Sequence, residues 1–363
     1  MLMFYFLAFW VLFCSSIRYY LGVKSRKYDF VYLLFCFLPL LFIVSQDSRP
    51  FADTKMYIDI FKDMEYRTWE DVIWGYDQYY GYLEMGYLIV TKFLYTISPN
   101  PSVYFFSFAI TTYLMIAYFI YKESKDYIYS IILFFLLGYS LYPGIAIRQW
   151  VSIAIFLVAF NKFLVNKCYI KYCICIIIAA QIHMSAYALL VMPLYEVFKL
   201  DKRLKLTVLL MIVMIAVFYL DFSLFIGENT KYAAYMNDMK FQQGTSIGPG
   251  VLKIIFFWLG PLIVIYMNKG KRLEEEYPHL KWYILFSIMC ILITIVQYTI
   301  LFMVERYIHY FELFTIFIIP CFFSCIARKN MLIIKGWCLL LFILYYYLKL
   351  EGMLRGYEIE FIN

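Results

Sequence analysis

A chain of 363 residues that is 64% hydrophobic, with a mean hydropathy of +0.74, is not a soluble globule; soluble domains run nearer about 45–50% apolar. The net charge of +7 is not a nucleic-acid signature, because the bases fall in short loops between apolar runs of helix-spanning length. The fold class this implies is all-α: a polytopic membrane protein of about twelve transmembrane helices, one integral membrane domain over residues 1–363.

In chain order, the first spans are Leu2–Ile17 and Phe30–Val44. The first apolar segment lacks a basic leader region and a small-residue cleavage site, so it reads as a retained helix. Between the two lie Arg18, Lys24, Arg26 and Lys27, which the positive-inside rule assigns to the cytoplasm. Residues 47–87 then form an extended outer loop in which nine acids outnumber four bases, with aromatic residues between them. Met85–Ile97 is apolar but short and carries Lys92, which predicts a surface or re-entrant helix rather than a span.

Further spans are expected at Ser102–Tyr121, Tyr127–Tyr142, Trp150–Val165, Ile170–Ile182, Met184–Phe198, Leu206–Ile226, Val251–Met267, Trp282–Phe302, Tyr307–Ala327 and Met331–Leu350. With Met85–Ile97 left out of the count, 20 of the 32 basic residues fall inside. Both termini then lie outside, as does a second outer loop at 227–250. The pair of segments around His183 can also be read as one long helix, which would reverse everything downstream. The nine cysteines lie within or beside apolar segments. Cys173-x-Cys175 and Cys321-x3-Cys325 lack the partner ligands of a metal site and read as packing residues.

In this topology Arg148, His183 and Arg306 all fall at outer helix mouths, on the side of the 47–87 loop. Arg148 follows Pro143-Gly144 at the start of a helix. A guanidinium there adds its charge to unpaired backbone N–H groups, a combination suited to phosphate or, more plainly, to an interfacial anchor. His183, between Gln181 and Ser185, can hydrogen-bond a diphosphate, shuttle a proton, or simply pack helices. Arg306, beside Glu305, also reads as a salt-bridged helix end. Arg49, Asp53 and Tyr57 recur at four-residue spacing; Asp53 is a candidate general base and Glu84 a second carboxylate. The fingerprints of zinc proteases, P-loops, serine hydrolases and dinucleotide folds are absent.

Arg49-x3-Asp53-x3-Tyr57, Glu84-x-Gly86-Tyr87, Gly144-x3-Arg148-Gln149, His183-x-Ser185-Ala186 and Arg306-Tyr307 stand in the order seen in bacterial EpsG-type proteins. The chain resembles that family, the Wzy-like polymerases of O-antigen, capsule and exopolysaccharide, over roughly residues 40–310. Its layout is similar to that of GT-C membrane glycosyltransferases. The resemblance implies joining of polyprenyl-diphosphate-linked oligosaccharide units on the outer face of the inner membrane. Asp53, Glu84 and His183 are then the catalytic candidates, Arg148, Arg306 and Gln149 the diphosphate contacts, and Arg49, Tyr57 and Tyr307 further substrate contacts. A flippase and a chain-length regulator are candidate partners in the bilayer. No cofactor is demanded, although the loop carboxylates could hold a divalent metal. Two other readings compete: a flippase or exporter of the same lipid-linked glycan, and a GT-C transferase adding a single sugar.

Overall fold

The computed structural model describes residues 2–21, 26–46, 51, 53–74, 83–197, 247–268, 271–299 and 305–361. Arg49, the span expected at 206–226 and the loop at 227–246 lie outside these residues. The protein is all-α, with no strand among the described residues. By length and composition five described helices can cross a membrane, or six if one bent pair counts as a span. Several other expected spans are shorter apolar helices, among them Tyr5–Leu21, Tyr28–Val44 and Tyr169–Ala180. The chain divides into two compact units, residues 1–158 with 181–183 and 327–363, and residues 159–180 with 184–326.

In the first unit, α1 (Leu2–Leu21) and α2 (Arg26–Val44) pack together, and α2 runs along α6 (Pro101–Glu123). Asn100 caps α6 by accepting from the Ser102 N–H at 2.9 Å, and Pro101 occupies the first turn, where its missing N–H costs nothing. Its 23 residues reach about 35 Å, more than the roughly 30 Å of a hydrocarbon core. The seam is aromatic: Phe37 stacks on Tyr113 at 5.3 Å and meets Phe134 edge-on at 5.4 Å. Arg18 is not a loop charge but a buried one, paired with Asp29, whose carboxylate also accepts from the Tyr127 hydroxyl at 2.6 Å. Such a pair holds helices in register because neither charge can be left alone away from water.

In the stretch read as an extended loop at 47–87, the described residues are in good part helical. Its α3 (Thr54–Asp63) buries Tyr57, Ile60 and Phe61, with Met64 just past its end. That spacing is the apolar stripe of a helix with one packed face. A short α4 (Trp69–Trp74) starts on a reciprocal cap: Thr68 Oγ1 accepts from the Asp71 N–H at 3.1 Å, and Asp71 Oδ2 accepts from the Thr68 N–H at 2.7 Å. Next, α5 covers Met85–Ile97, the bounds expected from the sequence. Its Lys92 ammonium turns inward and donates to the carbonyls of Met64, at 2.7 Å, and Arg67, at 2.5 Å. Those carbonyls close the turn after α3, so one cation ties that turn to α5.

Where Tyr127–Tyr142 was expected to span, the helix is shorter: α7 (Tyr127–Leu136). Gly138 takes φ 77°, a left-handed turn that ends the helix and that a side chain would resist. A single turn, α8 (Tyr142–Ile145), leads into α9 (Ile147–Ala159), which a π segment extends to Leu164.

The second unit contains α10 (Tyr169–Ala180) and, in place of the span expected at Met184–Phe198, a 3₁₀ run at Met184–Val191 followed by α11 (Met192–Val197). Pro193 lacks the N–H a continuous helix would need there, so the two pieces stay separate. Next come α12 (Ile247–Lys253), a π segment, α13 (Gly260–Met267), α14 (Lys271–Glu276) and α15 (Leu280–Thr299). Then α16 (Glu305–Glu312) and α17 (Thr315–Ser324) form the pair bent by 47°. Phe286 and Phe314 meet at 4.4 Å in this core, and Phe160 packs on both. The last helix, α18 (Arg328–Phe361), belongs to the first unit.

Candidate active site

Three segments distant in sequence assemble the candidate site, all within the first unit. Arg148 is the second residue of α9, next to Ile147, where the helix leaves its first N–H groups unpaired. Its NH1 pairs with the carboxylate of Glu84, the residue that caps α5. Both side chains are mostly buried, 14% and 13% exposed, so each charge needs the other. The guanidinium lies over the Tyr87 ring at 5.3 Å, and Tyr57 is within its electrostatic reach. Tyr57 meets Tyr87 edge-on at 6.4 Å. Arg148 Nε is buried, with no hydrogen-bond partner among the described residues.

The third segment is the break at 181–183, which separates α10 from the 3₁₀ run; the alternative of one long helix is not what forms. The carbonyl of Gln181 accepts from the Tyr87 N–H at 2.9 Å. This contact requires Gly86: a Cβ there would stand 2.6 Å from Gln181 Cβ and 2.7 Å from its carbonyl oxygen. Gly86 therefore lets the start of α5 seat on the backbone that carries His183, itself 9% exposed.

Gly144 has a matching role. A Cβ there would meet the Phe51 ring, with Cζ 2.8 Å away. The turn that enters α3 thus rests on α8, and Asp53 takes the cap position of α3, one turn before Tyr57. Tyr57 joins Tyr87, Ile147 and Ile182 in one buried cluster, so the segments bearing Asp53, Glu84, Arg148 and His183 share a core. Gln149 is buried beside Arg148, and Trp150 stacks on Tyr142 at 5.8 Å.

A model described as the EpsG family matches residues 30–358. The chain belongs to the EpsG family. Comparison with curated proteins and with solved structures returned no match. EpsG membership associates the chain with polysaccharide polymerase, glycosyltransferase-like activity in a membrane, on a lipid-linked saccharide.

Of the residues singled out in sequence, Asp53, Tyr57, Glu84, Arg148, Gln149 and His183 belong to the first unit of this EpsG chain, and Arg306 and Tyr307 to the second. Glu84, read as a second carboxylate for base chemistry, is the counter-ion of Arg148. Tyr66, Trp69 and Trp74 are exposed, as an interfacial aromatic belt would be. Among the described residues no group of three or more His, Cys, Asp or Glu comes together that could hold a metal ion.

Sequence reading missed a polar cluster in the second unit. Glu312 is 1% exposed and takes His309 Nδ1 at 2.5 Å on one oxygen, with Lys253 Nζ 3.8 Å from the other. The signal was present: an acid inside an apolar run is rare unless it is paired and used.

Proposed function

We propose that this protein joins polyprenyl-diphosphate-linked oligosaccharide repeat units by glycosyl transfer on the outer face of the inner membrane. The single observation that supports this best is the buried Arg148–Glu84 pair at the start of α9, built from the segments that carry the family's residue pattern. An arginine at a helix start, stacked on one tyrosine and reached by another, is pre-shaped for a bulky anion. A diphosphate supplies the charge that Glu84 supplies in its absence.

In this mechanism Arg148, with Gln149 and His183, stabilises the negative charge that develops on the departing diphosphate. Donors placed in advance for such charge are commonly worth about 10²–10³ in rate each. Asp53, on the cap of α3, accepts the proton of the acceptor hydroxyl as its oxygen bonds to the anomeric carbon. Arg49 and Tyr57 are further substrate contacts. For Arg306 and Tyr307, a diphosphate and a substrate role rest on the residue pattern alone.

Glycan profiling of a deletion strain tests the reading. Retention of a single repeat unit with loss of polymer supports polymerisation. Complete loss of glycan points instead to an earlier transfer or to flipping, and unchanged polymer rules the reading out.

A further inference from the structure

The first unit carries a groove that the mechanism above does not use. It lies between α1 and α2 and holds about 410 Å³, within the roughly 300–1,000 Å³ of sites that take small molecules. Phe13, Ile17 and Leu21 line it from α1, and Tyr28, Val31 and Phe35 from α2. Residues three or four apart share one face of a helix, so each helix offers a continuous apolar strip. All six side chains are exposed, in a chain whose long apolar helices mark it as a membrane protein. From Phe13 to Leu21 the strip on α1 is about 12 Å long.

The groove also has a charged lining residue, Arg18, whose side chain is 9% exposed. Its Nη2 donates to Asp29 and, at 3.0 Å, to the Tyr127 hydroxyl. Its Nε is buried, with no hydrogen-bond partner among the described residues. A donor left without an acceptor away from water is costly. Asp29 balances Arg18, but Arg26 and Lys27 open α2, and no further acid stands between Ile17 and Phe30. Where α1 ends and α2 begins, positive charge is therefore in surplus, and the positive-inside rule puts it at the cytoplasmic surface. An apolar strip that runs toward surplus positive charge matches a phospholipid with a negative headgroup. A zwitterionic lipid fills the strip but brings its own cation to the basic end, and free phosphate has nothing to lay in the strip.

We infer that the groove between α1 and α2 is a binding site for an anionic phospholipid of the cytoplasmic leaflet. One acyl chain lies against Ile17 and Val31. The phosphate is the acceptor that Arg18 Nε lacks, reached by rotation of the last bonds of that side chain, and the basic start of α2 adds its charge. The lipid fills a gap that the packing of α1 on α2 leaves open. None of these residues is a candidate for glycosyl transfer, so the site stands apart from that reading.

The test uses full-length protein in detergent with a phosphatidylglycerol that carries a photoreactive diazirine in one acyl chain. After irradiation, adducts should concentrate in the peptides that hold Phe13–Leu21 and Tyr28–Phe35. Unlabelled phosphatidylglycerol should suppress them at about tenfold lower concentration than phosphatidylcholine does, and added salt should narrow that gap. Ile17→Trp and Val31→Trp fill the groove from exposed positions and should reduce these adducts; Phe9→Trp, exposed on α1 and outside the groove, should not. Arg18→Lys keeps a charge for Asp29 but lacks the Nε–H, so adducts should persist while the preference for phosphatidylglycerol shrinks. Adducts spread evenly over exposed helices such as α18 would mean ordinary surrounding lipid and overturn the site. Equal suppression by the two lipids, or unchanged adducts in both groove-filling variants, would do the same. Stronger suppression by a polyprenyl phosphate than by phosphatidylglycerol would give the groove to a polyprenyl lipid instead and overturn it too. If the variants do not accumulate, the adduct map and the competition on the wild type decide.

Discussion

Arg148 and Glu84, 64 residues apart in the chain, close a mostly buried ion pair that fastens the start of α9 to the cap of α5. Removing one member of such a pair strands the other and costs about 3–5 kcal/mol. Glu84→Gln should therefore reduce protein in the membrane, and Glu84→Gln with Arg148→Met should restore the level without restoring polymer. Arg148→Lys keeps the charge for Glu84 but loses the planar fork and the ring contact, so polymer should fall sharply at a normal protein level. Immunoblots of membranes beside glycan gels check both.

Gly86 and Gly144 make contrasting predictions. Alanine at 86 meets the backbone and Cβ of Gln181, which cannot step aside, whereas alanine at 144 meets the Phe51 ring. Overpacking of this kind costs about 1–3 kcal/mol. Gly86→Ala should lower the melting temperature in detergent more than Gly144→Ala does. The reverse order would mean that the seat of α5 on Gln181 is not rigid.

The cap of α4 gives a pH dependence. The Thr68 backbone N–H, and then its hydroxyl, hold the Asp71 carboxyl below the usual carboxylate range. A group lowered on folding contributes stability that is present above its ordinary pKa, about 3.9, and is lost as pH falls through the lowered value. Amide exchange at Trp69–Trp74 should be steady from neutral pH to that value and quicken below it, beyond the intrinsic trend. Thr68→Val should quicken it at neutral pH already and flatten the acid response.

Much of this arrangement is legible in the sequence, for local reasons. The bounds of Met85–Ile97 follow from Glu84 before it and Ser98-Pro99 after it, and the place of Arg148 follows from Pro143-Gly144. The four-residue spacing of Asp53 and Tyr57 suits a helix, and Thr54–Asp63 is one. Three things were not legible. Gly138 resembles any glycine in an apolar run until its φ of 77° is seen. The partner of Arg148 was hidden because nine acids crowd the 47–87 stretch and only the fold selects Glu84. Lys253 and Glu312 lie 59 positions apart in different helices, so their meeting is a property of packing.

Asp53→Asn is nearly isosteric and keeps hydrogen bonding but cannot take a proton. It should insert normally and leave single repeat units in place of polymer, since a general base contributes about 10²–10⁴-fold. Asp59→Asn and Asp63→Asn serve as controls; Asp63 pairs with Arg67 at 2.9 Å, half-buried, and its loss should matter little. If Glu84→Gln alone abolishes polymer at a normal level, the base belongs at Glu84.

Orientation is tested by labelling. Cysteines placed at Asp63 and Gln243 should react with an impermeant reagent from outside, and those at Lys202 and Lys271 only from inside. Labelling of Asp63 from the cytoplasm would put the candidate site on the wrong face.

The most direct measurement is polymerisation by the purified protein alone. Reconstituted in proteoliposomes with lipid-linked repeat units, the wild type should yield a ladder of products that grow by whole units, with free lipid diphosphate released in step, and Asp53→Asn should yield neither. Movement of intact units across the bilayer without any ladder, or a product that gains a single sugar and stops, would contradict the account.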